Sequence, residues 1–331
     1  MASPEHVAEG PRAARVRLIV PTRNGGEIWK SCARAIADAV AAGRARVDVL
    51  VMDSASADDT AGVAARHGFE VRGVDPAAFD HGGTRNLAAR IGPEPDILVF
   101  LTQDAVLDTP HALDGLLRAF DDDGVAVAYG RQLPHRDANP LAAHARTFNY
   151  PARSHVAGAA DRDVLGIKAV FASNSFAAYR HAVFRELGGF PEKSIVSEDM
   201  YFAARAALAG HKIAYVADAA VRHSHNYGPL EEFRRYFDIG VFQRDQAWIR
   251  QAFGGAGGEG KRYILSELRY LARHAPLWIP RACLHNALKM AGYALGQRYP
   301  ALPLAWRRRF SMHRRYWDAP AARAPGPEGP E

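Results

Sequence analysis

The sequence predicts an α/β protein: a mostly parallel β-sheet flanked by helices, with a C-terminal helical extension. Three observations carry that expectation. Short β-rich runs alternate with segments of helical spacing over residues 16–101, the pattern of strands joined by crossover helices. Polar clusters follow three of those strands, where ligands bind in parallel sheets. From residue 229 the strand signals give way to long amphipathic helical stretches.

In chain order, VRLIVP (16–21) is an apolar run suited to a buried strand. EIWKSCARAIADAVAAG repeats at helical spacing and stops at Gly43. VDVLVMD (47–53) is a second strand. SADDTAGVAARHG offers Ser56 as an N-cap, with Asp59 three residues later, for a helix ending at Gly68. FEVRGV is a third strand, TRNLAARIG a short helix and DILVFL (96–101) a fourth strand. Residues 131–168, with several His, Arg and Pro, read as a long irregular connection. AVFASNSFAAYR reads as two short strands or a hairpin, GGFPEKSIVSED as a loop, MYFAARAALAG as a helix and HKIAYVADAAVRHSH as a β-rich stretch. LEEFRRYFDIGVFQRDQAWIRQAF is amphipathic helix, GGAGGEG a flexible break, and residues 261–274 and 279–298 two further helices. The expected divisions are a disordered leader at 1–15, an α/β domain at 16–228, a helical region at 229–318 and a disordered Pro/Gly-rich tail at 319–331.

A 331-residue chain with 48% hydrophobic and 24% charged residues is ordinary for a globular protein with a sizeable core. Its two cysteines, Cys32 and Cys283, have no partner at zinc or redox spacing, which fits reduced thiols in a cytosolic protein. The N-terminus lacks an apolar h-region and no apolar run reaches about 18 residues, so neither a secretory signal nor a transmembrane helix is expected.

Several clusters can carry chemistry. Asp53 ends a strand; its carboxylate can accept from a base N–H or a ribose hydroxyl, or cap the next helix. In FDHGGTRN (79–86) the glycines let backbone approach a ligand, and Arg85 near a helix start can pair with phosphate oxygens. A tight turn with a surface Arg is the alternative. Asp104 ends VFLTQDA (99–105); at a sheet rim it can ligate Mg²⁺ or Mn²⁺, with a diphosphate supplying other ligands, or cap a short turn. His223 and His225 in VRHSHN can offer a further ligand, or be ordinary strand-end histidines. Glu198 and Asp199 precede a helix; one can cap it while the other takes a proton from a substrate hydroxyl, and capping by Ser197 is the simpler reading. The acids at 121–123 and at Asp161 and Asp163 follow no hydrophobic strand and read as solvated surface.

Taken in order, VPTRN, VMDSAS, HGGTRN, LTQDA, GGF followed by SED, and VRHSHNY resemble glycosyltransferase family 2, inverting enzymes of the GT-A fold, over residues 16–228. HGGTRN, TQDA and HSHNY are most similar to the bacterial rhamnosyltransferase branch, which builds cell-surface polysaccharide such as O-antigen from dTDP-L-rhamnose. The resemblance implies that Pro21, Thr22, Arg23 and Asn24 line the nucleotide pocket, and that Asp53 reads the base. It implies that Arg85 and Gln103 help hold the donor, and that Asp104 is the second acid of a DXD motif and holds the metal. Asp199 matches the catalytic base, with Glu198 supporting it, and His223 matches the C-terminal metal ligand, with His225 as rival. Thr102 departs from the pattern: it stands where the first DXD acid usually is, and removes a negative charge near the cation.

The implied activity is transfer of a sugar, L-rhamnose first, from a nucleotide-sugar donor onto a hydroxyl of a cell-surface glycan or lipid-linked oligosaccharide. UDP-GlcNAc or UDP-galactose is the alternative donor, and an inactive nucleotide-sugar-binding scaffold the alternative class. A net charge of +6 fits an anionic ligand, an acidic membrane surface or nucleic acid. The basic residues gather near the C-terminus and not along a recognition motif, so nucleic acid is not expected. Trp278, Trp306, Arg307–Arg309 and Trp317 suit an anionic membrane face; packing on the catalytic domain or a homo-oligomer surface suits them equally. The expected location is cytoplasmic, with peripheral contact at the cytoplasmic face of the inner membrane.

Overall fold

The computed structural model describes residues 14–255 and 258–318. The expected tail, and all but the last two residues of the expected leader, lie outside the described residues.

The first half alternates as the sequence predicts: β1 (Arg15–Thr22), α1 (Gly26–Ala42), β2 (Arg46–Asp53), α2 (Thr60–Arg66), β3 (Glu70–Gly73), α3 (His81–Ala89) and β4 (Ile97–Leu101). The middle holds β5 (Val106–Leu107), α4 (Ala112–Leu117), β6 (Val125–Leu133), α5 (Pro140–Asn149), β7 (His155–Ala157), α6 (Arg162–Leu165), β8 (Phe176–Arg180), α7 (His181–Glu186), α8 (Glu198–Leu208) and β9 (Lys212–Arg222). The extension comprises α9 (Pro229–Asp245), α10 (Ala247–Phe253), α11 (Glu259–His274), α12 (Ile279–Gln297) and α13 (Leu304–Phe310).

One nine-stranded sheet runs β3-β2-β1-β4-β8-β6-β9-β5, with β7 on β9. The β3-β2-β1-β4 block is parallel, as is β6 with β9; β8 runs antiparallel between β4 and β6. Strand side chains alternate between faces, and here both faces are covered. Leu18, Val20, Val49, Val51, Val99 and Leu101 pack one way, with Trp29, Cys32, Ala33 and Ile36 of α1. Ile19, Leu50, Met52, Leu98 and Phe100 pack the other way, with Tyr179, Phe184 and Phe202. Burying each large side chain contributes about 1.5–3 kcal/mol, which fixes strand register and with it the rim where the strands end.

Four local expectations differ from the structure. Ser56 does not cap α2: its backbone N–H and hydroxyl both donate to Asp53, and the helix begins at Thr60. The connection at 131–168 is mostly regular. β6 continues to Leu133 against β9, and α5 starts at an Asn-Pro pair whose Asn139 side chain accepts from Ala142 N–H at 2.9 Å. In AVFASNSFAAYR only FAAYR is a strand; the segment before it is a 3₁₀ turn at 166–170. The helix expected after 229 breaks at Gln246 into α9 and α10.

The extension is held together by close packing, and Arg315 donates to the Pro76 carbonyl of the α/β body at 2.7 Å. A Cβ on Gly296 of α12 would lie 2.1 Å from the Phe237 carbonyl oxygen of α9, so the two helices approach as only glycine permits. Buried Asp238 accepts from the Met312 N–H at 2.8 Å, pinning the segment after α13 onto α9.

Candidate active site

The rim beyond β1, β2 and β4 is a set of braced loops. Thr22 donates its hydroxyl to Asp53 at 3.1 Å, so the ends of paired β1 and β2 are joined by side chains as well as by the ladder. Asn24 N–H donates to the Ser56 hydroxyl at 2.9 Å, and Asn24 Oδ1 accepts from Ala57 N–H at 2.7 Å. Gln103 clamps the backbone of Arg23 in both directions, accepting from its N–H at 2.8 Å and donating to its carbonyl at 3.2 Å. Pro21 is half-buried between these groups and the Arg23 side chain is exposed. Asn24 and Ala55 both hold positive φ, 45° and 52°, a backbone state that the braces must sustain.

Next to Gln103, a turn closed by Ala105 N–H to the Thr102 carbonyl at 3.0 Å presents Asp104. The two-residue strand β5 then pairs antiparallel with the end of β9, Val106 opposite Arg222. That register brings His223 and His225, which follow β9, back onto Asp104. Their Nε2 atoms lie 3.5 and 3.7 Å from Asp104 Oδ2. One ligand atom from each of the three residues falls within 4.8 Å of the others.

A hydrogen-bond chain sets the imidazole of His223. Arg146 donates to Gln132 Oε1 at 2.7 Å, and the Gln132 amide donates to the Ser173 hydroxyl at 2.9 Å. Because guanidinium can only donate, that amide orientation is fixed. His223 Nδ1, 2.9 Å from the same Oε1, must therefore carry the proton and donate, which leaves the Nε2 lone pair facing Asp104. Burial pushes His223 down and, aided by the charge of His223, pushes His225 down to about 4, so both rings are neutral near pH 7. Burial pushes Asp104 up, but a hydrogen bond and charge from His223, and then charge from His225, when those rings are protonated, outweigh it and hold the carboxyl below its ordinary range, so Asp104 is ionised where both rings are neutral. Three electron-pair donors thus face one another with no proton between them. A carboxylate and two imidazoles in that arrangement fit a divalent cation.

On the same side of the sheet, Ser197 adopts φ 62° without a side-chain cap bond, so the capping reading for it is not what the structure holds. The turn sets Glu198 and Asp199 at the N-terminus of α8. Glu198 is buried; it accepts from Arg85 at 2.9 Å and from the Asn174 side chain at 2.9 Å. Burial raises Glu198, but Arg85 first and then His81 and Asn174 outweigh it and hold it ionised. Asp199 accepts from the Asn174 N–H at 2.9 Å and from its own helix at Met200 N–H, 2.8 Å. Burial, and then the Glu198 charge, push its carboxyl up to about 7. Two adjacent acids are thereby split, one ionised and one near neutrality, a pattern that marks distinct roles.

The two halves form one continuous site. Asp104 meets His223, His223 meets Gln132, Gln132 meets Ser173, and the next residue, Asn174, holds both Glu198 and Asp199. On the other side Asp104 follows Gln103, which joins it to Arg23, Thr22 and Asp53. Arg85 is 4% exposed, and its Nη1 donates both to Glu198 at 2.9 Å and to the His81 carbonyl at 3.0 Å, which ties it to the acid pair. Gln132, Arg146 and Asn174 escaped sequence reasoning because they belong to no motif. A buried polar residue at a strand end, as in GRQL, was the available signal for Gln132.

A candidate cation cradle and a buried acid pair thus lie at the strand ends of an α/β sheet. The chain belongs to the glycosyltransferase-like family 2, whose model matches residues 11–250, and is a glycosyltransferase. Two curated relatives are the O-antigen chain rhamnosyltransferase RfbN of Salmonella typhimurium, 49% identical over 92% of this chain and 96% of that protein, and the O-antigen chain rhamnosyltransferase WbaN of Salmonella anatum, 50% identical over 91% and 95%. Among solved structures, the Pyrobaculum calidifontis mannosyltransferase PcManGT in complex with GDP-Man and Mn²⁺ superposes with a TM-score of 0.55, covering 93% of this chain and 86% of that one at 22% identity. That likeness shows the GT-A fold. No helix among the described residues is long and apolar enough to cross a membrane.

Proposed function

We propose that this chain is an inverting rhamnosyltransferase of O-antigen-type polysaccharide assembly, moving L-rhamnose from dTDP-L-rhamnose onto a glycan or lipid-linked oligosaccharide hydroxyl. The observation that carries the reaction type is the split acid pair at the N-terminus of α8, joined by Ser173 and Asn174 to the Asp104–His223–His225 cradle. The rhamnose assignment is supported by relatives 49% and 50% identical, both described as rhamnosyltransferases. Its domains are 16–228 for transfer and 229–318 as a helical extension; contact of the latter with an anionic membrane face brings a lipid-linked acceptor within reach.

Asp199 is the general base. Near its pKa it is about half ionised at neutral pH and takes the acceptor hydroxyl proton as that oxygen attacks the anomeric carbon. The bond to the diphosphate oxygen breaks on the opposite face, so configuration inverts and a β-L donor gives an α-L-rhamnoside. Glu198, held by Arg85, keeps Asp199 basic, and Asn174 aims it. Asp104, His223 and His225 would hold a divalent cation, which would supply positive charge to the leaving diphosphate; of Mg²⁺ and Mn²⁺, two imidazoles favour Mn²⁺. Thr22, Asn24, Asp53 and Gln103 brace the loops that form the nucleotide pocket, with Pro21 in its wall and Arg23 free at its edge.

The test is incubation with Mn²⁺, a lipid-linked oligosaccharide acceptor and a panel of dTDP-L-rhamnose, UDP-GlcNAc and UDP-galactose. Nucleoside diphosphate release and the anomeric configuration of the product are followed by NMR. Release from dTDP-L-rhamnose with an α-linked product is expected. Turnover confined to a UDP-sugar would overturn the donor, and binding without turnover of any donor the reaction.

A further inference from the structure

The C-terminal extension carries a cavity that the donor and base assignments leave unused. It measures about 540 Å³ and is lined by Arg234 of α9, Ala305, Trp306, Arg308 and Arg309 of α13, and Arg314 of the following turn. That volume lies in the range of about 300–1,000 Å³ typical of small-ligand sites. Four arginines from three separate segments line it. Arg308 pairs with Asp318 at 2.9 Å; Arg234, Arg309 and Arg314 have no ion-pair partner among the described residues. Trp306, in the lining, is 50% exposed.

Uncompensated like charges around one concavity repel each other, and a multiply charged anion relieves that repulsion. Guanidinium forks match phosphate oxygens in geometry as well as charge. Because the arginines come from three segments, they suit a ligand with oxygens on more than one phosphorus. The exposed indole beside them suits an apolar chain attached to the anion.

The cavity also borders the catalytic side. Arg314 follows His313, whose ring packs edge-on against His81 at 5.2 Å, and the His81 carbonyl accepts from the Arg85 that holds Glu198. The segment is fixed there, since Asp238 binds the N–H groups of Met312 and His313.

We propose that this arginine cavity is a binding site for a diphosphate group, separate from the donor diphosphate at Asp104. The group comes either from a phosphate headgroup at a lipid surface or from a soluble phosphate compound, and its end nearer His313 lies toward the acid pair.

The test uses the full chain without divalent metal and with dTDP in excess to fill the donor crevice. Inorganic pyrophosphate is titrated by calorimetry into wild type, R309A, R314A and the double variant. Arg309 and Arg314 are exposed and unpaired, and circular dichroism checks that each variant folds. Each lost guanidinium weakens pyrophosphate binding about ten-fold, and the double variant about a hundred-fold, while dTDP affinity is unchanged. A D104A control keeps the arginine-dependent event, so failure of the donor reading leaves this result interpretable. Displacement of pyrophosphate by phosphatidylglycerol vesicles but not by phosphatidylcholine vesicles assigns the lipid source; displacement by neither assigns a soluble phosphate. Absence of pyrophosphate binding in wild type, or equal affinity in the double variant, overturns the site.

Discussion

Asp199→Asn separates chemistry from binding and from folding. The substitution keeps the side chain's shape and removes its capacity to take a proton, so turnover falls by about 10²–10⁴-fold while donor affinity is unchanged. Stability changes in a calculable direction. The folded state holds the Asp199 proton more tightly than the unfolded state, with a pKa of about 7 against 3.8. The stability this gives is complete at acid pH and is lost as pH rises from about 4 through about 7. Between about pH 5 and about pH 8 the wild type therefore loses about 2–3 kcal/mol relative to a residue that does not titrate. Asn has one acceptor for two backbone donors, Asn174 N–H and Met200 N–H, which costs about 1–3 kcal/mol at every pH. Urea melts of both proteins across that range should show the variant gaining on the wild type as pH rises. Single-turnover transfer and dTDP binding complete the assay. Parallel pH dependence of the two melts refutes the burial of an ionisable Asp199, and retained turnover refutes its role as base.

Glu198→Gln removes the charge that raises Asp199, so the midpoint of the rate against pH, near 7 in the wild type and rising with pH, moves to lower pH; an unmoved midpoint in steady-state assays denies the coupling. Gln132→Met removes the acceptor that fixes the His223 tautomer and weakens Mn²⁺ binding about 10–100-fold by calorimetry, while Gln132→Glu, which keeps an acceptor there, preserves it. Gly296→Val drives a side chain into the Phe237 carbonyl and costs at least about 1–3 kcal/mol in thermal melts. Asp238→Ala releases the Met312 and His313 N–H groups, costing about 1–3 kcal/mol and speeding amide hydrogen exchange at 311–317 above that of β4.

What was legible in the sequence followed from local periodicity. The alternation of β1 to β4 with three helices, and the acids Asp53 and Asp104 at strand ends, needed only apolar runs and their stops. The pairing of Asp104 with two histidines more than a hundred residues away depends on β5, two residues long, matching Arg222 of β9; no local signal reports that register. Similarly, AVF in AVFASNSF has strand-like composition, but Ala169 and Val170 close a 3₁₀ turn, and Ser173 and Asn174 beyond it meet Gln132 and the acid pair. The contact of Arg85 with Glu198 was illegible for a related reason: a helix-start arginine pairs as well with a buried carboxylate as with phosphate, and sequence spacing carries no information about Glu198 lying 2.9 Å away.

The braced rim has a consequence for donor recognition. Both oxygens of Asp53 are already engaged by Thr22 and Ser56, both ends of the Gln103 amide by Arg23 backbone, and Asn24 by two partners across the β2–α2 loop. These side chains are therefore first a frame, and their substitution deforms the pocket as well as removing contacts. Positive φ at Asn24 and Ala55 is the strain that such a frame holds in place before any ligand arrives. On the proposed function, a nucleotide entering this crevice would meet a preformed wall, and binding would entail little further ordering of these loops. Selectivity would then come from the shape of that wall, from the lone pairs Asp53 still has to offer, and from the exposed side chain of Arg23 at its edge.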